Sequence, residues 1–371
     1  MPISNRELHI YVNGRFLTQS TTGVQRFAQE TVRSIDALLD SASPVKWTVL
    51  APKRTVLKER WNHIDFATVG LLSGHAWEQF DLPRYASDGW LLTLSGAPSI
   101  FHSRHIFSIP DAAIYDMPKG YSPLYRAYYR ILWTICTKRS KAILTFTEFS
   151  RSRLSTLFPD ISGRIYVTSC GADHRSPLME IADETPDNSR GDGVPVILAV
   201  SSMAPNKNFP VILKLSELLE DLNLKILVAG GTNPRIFRKA AHLPGRIEWL
   251  GYVSEFELGK LYRQADCFVF PSFYEGFGLP PIEAMRHGCP VIASDAASIP
   301  EVCGDAALYF DPHSVKELKS QLIRVLYEPG LADELRRKGI RQSAKYKWVD
   351  VARVITDLIY SLADPGSPTF R

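Results

Sequence analysis

Short apolar runs alternate with helical patterns along almost all of the 371 residues, and few folds accept that rhythm. Strand-like runs fall at 8–13, 46–51, 64–69, 90–94 and 142–147 in the first half, and at 194–200, 224–229, 246–251, 267–270 and 290–293 in the second. Between them lie helical spacings, such as Val24, Phe27, Ala28, Val32, Ile35 and Leu39, and the stretches 210–219 and 254–264. Short buried-type strands joined by helices predict a parallel, doubly wound α/β sheet in each half. The expected architecture is two Rossmann-like domains facing a cleft. A polar, acidic, Pro- and Gly-containing stretch at 178–193 marks the boundary. It sets an N-terminal domain at 1–178, a linker at 179–193 and a C-terminal domain at 194–348. A last helical pattern lies within 349–371, and the sequence alone leaves its packing open.

Composition narrows the function. Hydrophobic residues make 45% and charged residues 22%, an ordinary globular balance, and a net charge of +4 argues against a dedicated nucleic-acid binder. Cys136, Cys170, Cys267, Cys289 and Cys303 are scattered and form no CxxC, so core thiols in a reducing compartment are expected. No leader pattern precedes the first strand, and no apolar run approaches a membrane span. A cytoplasmic protein without a metal site is the expectation.

The richest stretch is Phe270-Pro-Ser-Phe-Tyr-Glu275-Gly-Phe-Gly278-Leu-Pro-Pro-Ile-Glu283-Ala-Met. It joins a strand-like run to a helical pattern. Glu275 and Glu283 stand eight positions apart, more than two helical turns, so Glu275 must lie in the loop if both reach one ligand. The glycines let the amides of Gly276, Phe277, Gly278 and Leu279 approach a phosphate or sugar, and a helix N-terminus favours negative charge. A second strand–loop–helix corner runs through Thr22-Gly23, with Arg26 near the helix start. It suits a diphosphate or is simply a turn. Lys207 follows the first strand of the second half, where it would neutralise a phosphate at the sheet's carboxyl edge.

His102, Arg104 and His105 follow an apolar run and would face a ligand at the carboxyl edge of the first sheet; the alternative is a pair of surface-loop histidines. Two segments mix basic with aromatic side chains: Tyr125, Arg126, Tyr128, Tyr129, Arg130, Trp133, Lys138 and Arg139, and then Lys53, Arg54, Lys58, Arg60 and Trp61. They suit an anionic membrane surface or a lipid-linked substrate, or else an aromatic core face backed by a solvated basic one.

Together these residues resemble the retaining, nucleotide-sugar-dependent glycosyltransferases of the large family-4-like group, which have the two-domain GT-B fold. The resemblance is carried by the Glu-x7-Glu of Glu275 and Glu283, by Ala284-Met-Arg-His-Gly288-Cys-Pro-Val-Ile-Ala293, by Ile299-Pro-Glu-Val-Cys-Gly-Asp305, and by Gly251-Tyr-Val-Ser and Leu261-Tyr-Arg-Gln-Ala-Asp266. Gly14-Arg-Phe-Leu, Thr22-Gly23-Val-Gln-Arg26 and Trp77-Glu-Gln-Phe-Asp-Leu-Pro83 look like the start of bacterial mannosyl- and rhamnosyltransferases that build surface polysaccharides.

The resemblance implies that Glu283 binds the ribose hydroxyls, and that Glu275 and the amides from Gly276 to Leu279 hold the transferred sugar and its phosphate. It implies that Lys207 neutralises the diphosphate while the Gly23 loop closes over it, and that residues after Gly251 meet the base. His102, His105, Tyr115 and Asp116 are the candidates for acceptor or sugar contact. The final helix would cross back onto the N-terminal domain. No cofactor or metal is implied. The partners would be a nucleotide-sugar donor, best read as GDP-mannose, a lipid-linked glycan acceptor, and an anionic membrane touched peripherally.

Three positions depart from the family's pattern. Tyr115 stands before Asp116 where a histidine near the reacting sugar is usual. Ser202 and Asn206 hold the places of an arginine near Lys207, and Ser201 replaces a strand-ending glycine. Arg26 or Arg104 would then supply the missing cation. These departures keep open a non-catalytic nucleotide-sugar-binding protein, a UDP- or dTDP-sugar donor, and another nucleotide-sugar enzyme such as a 2-epimerase. No GxGxxG with a downstream acidic residue follows the first strands, which argues against an NAD enzyme.

Overall fold

The computed structural model describes residues 8–41, 43, 45–57, 59–173, 193–200, 204–230 and 246–363. Most of the stretch expected as a linker, together with Lys58, Ser201 and Ser202, lies outside the described residues. The chain divides into two compact units, Met1–Gly171 with Lys347–Arg371, and Ala172–Tyr346.

The first unit holds β1 (Leu8–Asn13), β2 (Val45–Pro52), β3 (Ile64–Val69), β4 (Trp90–Thr93), β5 (His105–Ser108), β6 (Ala142–Thr145) and β7 (Ile165–Val167). Their order is β3-β2-β1-β4-β5-β6-β7, and every pairing is parallel. The second holds β8 (Val196–Val200), β9 (Lys225–Ala229), β10 (Ile247–Gly251), β11 (Cys267–Phe270), β12 (Val291–Ser294) and β13 (Ala307–Phe310). Here the order is β10-β9-β8-β11-β12-β13, again wholly parallel. Parallel strands are covered on both faces, so they read as continuous apolar runs. β11, Cys-Phe-Val-Phe, is the extreme case, with all four side chains 0% exposed.

Both sheets start at an inner strand, grow to one side, then cross to the other. The reversal falls between β1 and β4 in one unit and between β8 and β11 in the other. At such a reversal the loops leaving adjacent strands diverge to opposite faces, and a crevice opens at the carboxyl edge. The candidate residues of the second unit gather at one of these points.

The last helix, Trp348–Ala363, belongs to the first unit and packs on the helix Gly23–Leu38. Trp348, Val351, Ala352, Ile355 and Ile359 form its buried stripe, at helical spacing. The Trp348 ring lies 6.1 Å from that of Phe27. Gly171 makes the approach feasible, since a Cβ there would sit 2.4 Å from the Trp348 amide nitrogen. All five cysteines are buried free thiols. Among the described residues no helix is long and apolar enough to cross a membrane.

One sequence expectation is corrected here. His102 and His105 do not follow a strand end; His105 begins β5, a strand the sequence pattern did not reveal because polar His105 and Ser108 bracket it. In a parallel sheet that places both histidines at the amino edge, away from the crevice. They are 5% and 1% exposed. The His102 ring bonds the Ala86 carbonyl (2.9 Å), and the His105 ring bonds the Thr93 hydroxyl (2.9 Å). Arg104 lies with them, donating to the Ser87 carbonyl at 3.1 Å.

Two outcomes follow from this packing. Trp348→Ala should cost about 3–5 kcal/mol in chemical denaturation, the usual range for emptying a buried tryptophan site. Burial, helped by the neighbouring His102, pushes the His105 imidazole down from 6.5 to about 3. Between those values the unfolded chain binds the extra proton, so stability is full above pH 6.5 and falls as pH drops toward 3. His105 alone should remove about 3 kcal/mol between neutral pH and about pH 4.5. His105→Gln should flatten that slope in denaturation curves measured across the range.

Candidate functional site

β8 and β11 are hydrogen-bonded neighbours, so the loops that leave their carboxyl ends face each other. One carries Lys207 at the end of a single tight turn, Pro205–Lys207; the other carries Glu275. Lys207 Nζ donates to Glu275 Oε1 at 2.7 Å, with side-chain exposures of 25% and 13%. The ammonium also stands 5.5 Å from the Phe270 ring centroid, within cation–π reach.

Asn206 ties the two loops together. Its carbonyl accepts from the Phe273 amide at 2.7 Å, and its side-chain Nδ2 donates to the Tyr274 carbonyl at 3.2 Å. Asn208 completes the corner in the left-handed region, at φ 52, while its Nδ2 donates to the Pro312 carbonyl at 2.7 Å. Asparagine adopts that conformation more readily than most residues, which is why the chain can reverse into the helix Phe209–Leu218 there. Of the two candidate places for the missing arginine, Asn206 thus holds a clamp rather than a cation.

The Glu275 turn is fixed from behind by a residue the sequence reading did not single out. Ser298, 0% exposed, donates to the carbonyls of Glu275 (2.9 Å) and Phe277 (3.3 Å). Among the described residues no peptide bond is cis, and in a trans peptide the carbonyl and the next N–H point opposite ways. The amides of Gly276 and Gly278 are therefore aimed away from Ser298. Gly278 sits at φ 92, the N-cap of the helix Leu279–Arg286, a conformation that favours glycine. Pro280 and Pro281 contribute no N–H to that helix's first turn, so its end presents the Leu279 amide and those of the preceding turn. Glu283, 9% exposed, projects from the same helix, and Phe277 packs inward against Tyr346, with ring centroids 5.3 Å apart. Residues after Gly251 close the far side of this edge, where Tyr252 is 78% exposed.

In the first unit, Gly23 opens a helix after β1, at the carboxyl edge, with Arg26 in its first turn. Thr22 and Gln25 form a capping box there, the Thr22 amide donating to Gln25 Oε1 at 3.3 Å. Tyr115 and Asp116 follow β5 on the short helical turn Ala113–Asp116, also at the carboxyl edge. The Tyr115 ring is walled by Trp133 (6.2 Å) and Phe158 (6.0 Å), with the Arg130 guanidinium 4.8 Å over its face. Burial pushes its phenol up. Asp116 is held in a bidentate pair by Arg153, at 3.0 and 2.6 Å. So Lys207, Glu275, Glu283 and the 276–279 turn share one edge of the second unit, Gly23, Arg26, Tyr115 and Asp116 share one edge of the first, and His102, Arg104 and His105 lie on that unit's opposite edge.

The family described as "Glycosyl transferases group 1" matches residues 181–344. O-antigen chain mannosyltransferase B of Escherichia coli is 32% identical over 278 residues, covering 69% of this chain and 68% of that protein. Among solved structures, WaaG, a glycosyltransferase involved in lipopolysaccharide biosynthesis, aligns with a TM-score of 0.71 at 15% identity, over 95% of this chain and 99% of that one. Anabaena HepE in complex with UDP-glucose aligns at 0.67 with 14% identity, over 95% and 99%. Two doubly wound parallel sheets match the GT-B architecture, and the chain belongs to the group 1 glycosyl transferases, the family-4 glycosyltransferases of GT-B fold.

Proposed function

We propose that this glycosyltransferase moves mannose from GDP-mannose to a lipid-linked oligosaccharide, with retention of anomeric configuration, at the cytoplasmic face of a bacterial inner membrane. The observation that carries the donor half of this reading is the Lys207–Glu275 pair at the β8/β11 reversal. The likeness to an O-antigen chain mannosyltransferase supports the choice of sugar.

Sugar transfer expels a nucleoside diphosphate, so negative charge builds on the leaving phosphate. Lys207, the amides of Gly276 and Gly278 and the end of the Leu279–Arg286 helix would stabilise that charge. Glu275 is already bonded to Lys207, so an arriving diphosphate would share the cation and leave the carboxylate beside the sugar. A carboxylate there stabilises the positive charge of an oxocarbenium-like centre. Glu283, one turn into the helix, would take the ribose hydroxyls.

A second reading, nucleotide-sugar binding without turnover, is favoured by Tyr115 alone. Its ring is packed among Trp133, Phe158 and Arg130, and offers no substitute for a histidine's acid–base chemistry.

The helix Pro123–Arg139 supports a membrane contact. Leu124 (80% exposed) and Ile131 (62%) lie seven positions apart on its solvent face, with exposed Lys138 one further heptad on, while Leu132, Trp133 and Cys136 face the core. An apolar stripe flanked by cations suits an anionic bilayer surface.

Three measurements test these roles. Glu275→Ala should lower transfer at least about 100-fold, the scale of a lost electrostatic partner at a reacting centre, with an unchanged fold by circular dichroism. Unaltered transfer would remove Glu275 from the mechanism. Glu283→Gln should weaken GDP binding about tenfold or more in calorimetry, the scale of a lost charge-assisted hydrogen bond. Leu124→Glu with Ile131→Glu should reduce co-sedimentation with phosphatidylglycerol vesicles at least about tenfold, while transfer to a soluble acceptor stays the same.

A further inference from the structure

The first unit has its own strand-order reversal, between β1 and β4, and a buried carboxylate is built into it. Glu78 is 0% exposed and collects four partners from three stretches of chain. Asn13, the last residue of β1, donates from Nδ2 to Oε1 at 3.3 Å, and the Ala97 amide, just past β4, donates to the same oxygen at 2.9 Å. Arg15 Nη1 donates to Oε2 at 2.5 Å, and His75 Nδ1 stands 2.8 Å from that oxygen. Gly96, at φ 105, completes the cradle: a Cβ there would meet Oε1 at 2.2 Å. The helix carrying Glu78 widens to a π turn over Trp77–Asp81. That turn seats Gln79 beside Glu78 on the same loop, bonding the Pro98 carbonyl (2.9 Å) and the Ile100 amide (3.0 Å).

His75 Nδ1 is the ring nitrogen held inside the cluster, between Glu78 Oε2 and Arg15 Nη1, and the shorter contact, 2.8 Å to an oxygen that only accepts, assigns it the hydrogen. In the neutral ring Nε2 is then the acceptor. The His75 side chain is 41% exposed, and its Nε2 makes no hydrogen bond among the described residues. Arg15 stands on the Nδ1 side, its Nη1 3.1 Å from that nitrogen. The other wall is aromatic: the Tyr128 ring centroid lies 5.0 Å from that of His75 and Tyr129 lies 6.0 Å away, with Tyr125 4.6 Å beyond Tyr129. The Tyr128 hydroxyl is buried, with no hydrogen-bond partner among the described residues. An apolar aromatic wall with a few oriented polar groups is how a small polar ligand is recognised.

We infer that Glu78 is a positioning residue, holding His75 so that its Nε2 accepts a hydrogen bond from a hydroxyl of the acceptor sugar, which lies against Tyr128 and Tyr129. This rests on the glycosyl-transfer reading and adds to it an acceptor contact in place of the histidine that Tyr115 displaces. Four partners converging on one carboxylate would stabilise the fold without any ligand. A purely structural cluster, however, has no need of a half-exposed imidazole whose Nε2 makes no hydrogen bond among the described residues.

The test uses the whole chain, with octyl α-mannoside as the acceptor probe and GDP as the donor-side control, both followed by calorimetry. His75→Ala should weaken octyl mannoside binding about tenfold and leave GDP binding unchanged, and His75→Gln, which keeps a polar acceptor, should recover part of the loss. Glu78→Gln, which no longer dictates the histidine tautomer, should weaken the mannoside in the same way wherever it remains folded. Equal mannoside affinity in wild type and His75→Ala overturns the inference, as does absence of mannoside binding by the wild type. Mannose transfer by the wild type is scored separately: its failure with intact mannoside binding would count against the transfer reading and not against the His75 contact.

Discussion

The parallel pairing of β8 with β11 is the constraint on which the second unit's chemistry depends. Phe268 opposite Leu198 and Val269 opposite Ala199 bring together two strands whose own helices must leave on opposite faces. The two loops therefore meet at one edge although 68 residues separate Lys207 from Glu275. Neither loop could hold this geometry alone. Asn206 links them through backbone groups on either side, and Ser298, from a third loop, fixes the direction of the turn's peptides.

Charge is handled differently at each buried site. Lys207 and Glu275 are partly exposed, so each keeps some hydration and can exchange partners when an anion arrives. Glu78 is wholly buried, and removing such a carboxylate from water costs several kcal/mol unless its lone pairs are filled. Asn13, Arg15, His75 and Ala97 fill them, so this carboxylate is fixed rather than exchangeable. Asp116 falls between, paired in a bidentate fork with Arg153 that orients it. A mobile pair suits a site that must accept and release a diphosphate; a saturated carboxylate suits one that holds a neighbour still.

Much of this was legible in the chain. β11 stood out because its apolar run is uninterrupted, and β1 and β3 because apolar and β-branched residues dominate them despite His9 and Asp65. β5, β7 and β13 did not. Each has three or four residues, and β5 opens on a histidine and ends on a serine, so no periodicity can develop. That omission moved His102 and His105 to the wrong edge of the sheet. Asn206 was visible only as a substitution and Ser298 not at all. Their roles lie in single hydrogen bonds to backbone carbonyls and amides, which leave no pattern in composition or spacing.

The sequence by itself determined the fold class, the strand-to-helix corner with its two glutamates, and the lysine in the facing loop. Those features are local: they follow from apolar runs, glycine positions and residue spacing within one corner. Only the tertiary structure decided that Lys207 and Glu275 touch, that Tyr115 is packed against Trp133 and Phe158, and that the last helix lies on Gly23–Leu38 beside Gly171. It also decided that Glu78, one acidic residue among many in the sequence, is the buried centre that orients His75. Such contacts depend on strand order, because order alone sets which carboxyl ends become neighbours, and a parallel sheet records that order in its pairing rather than in any one segment of chain.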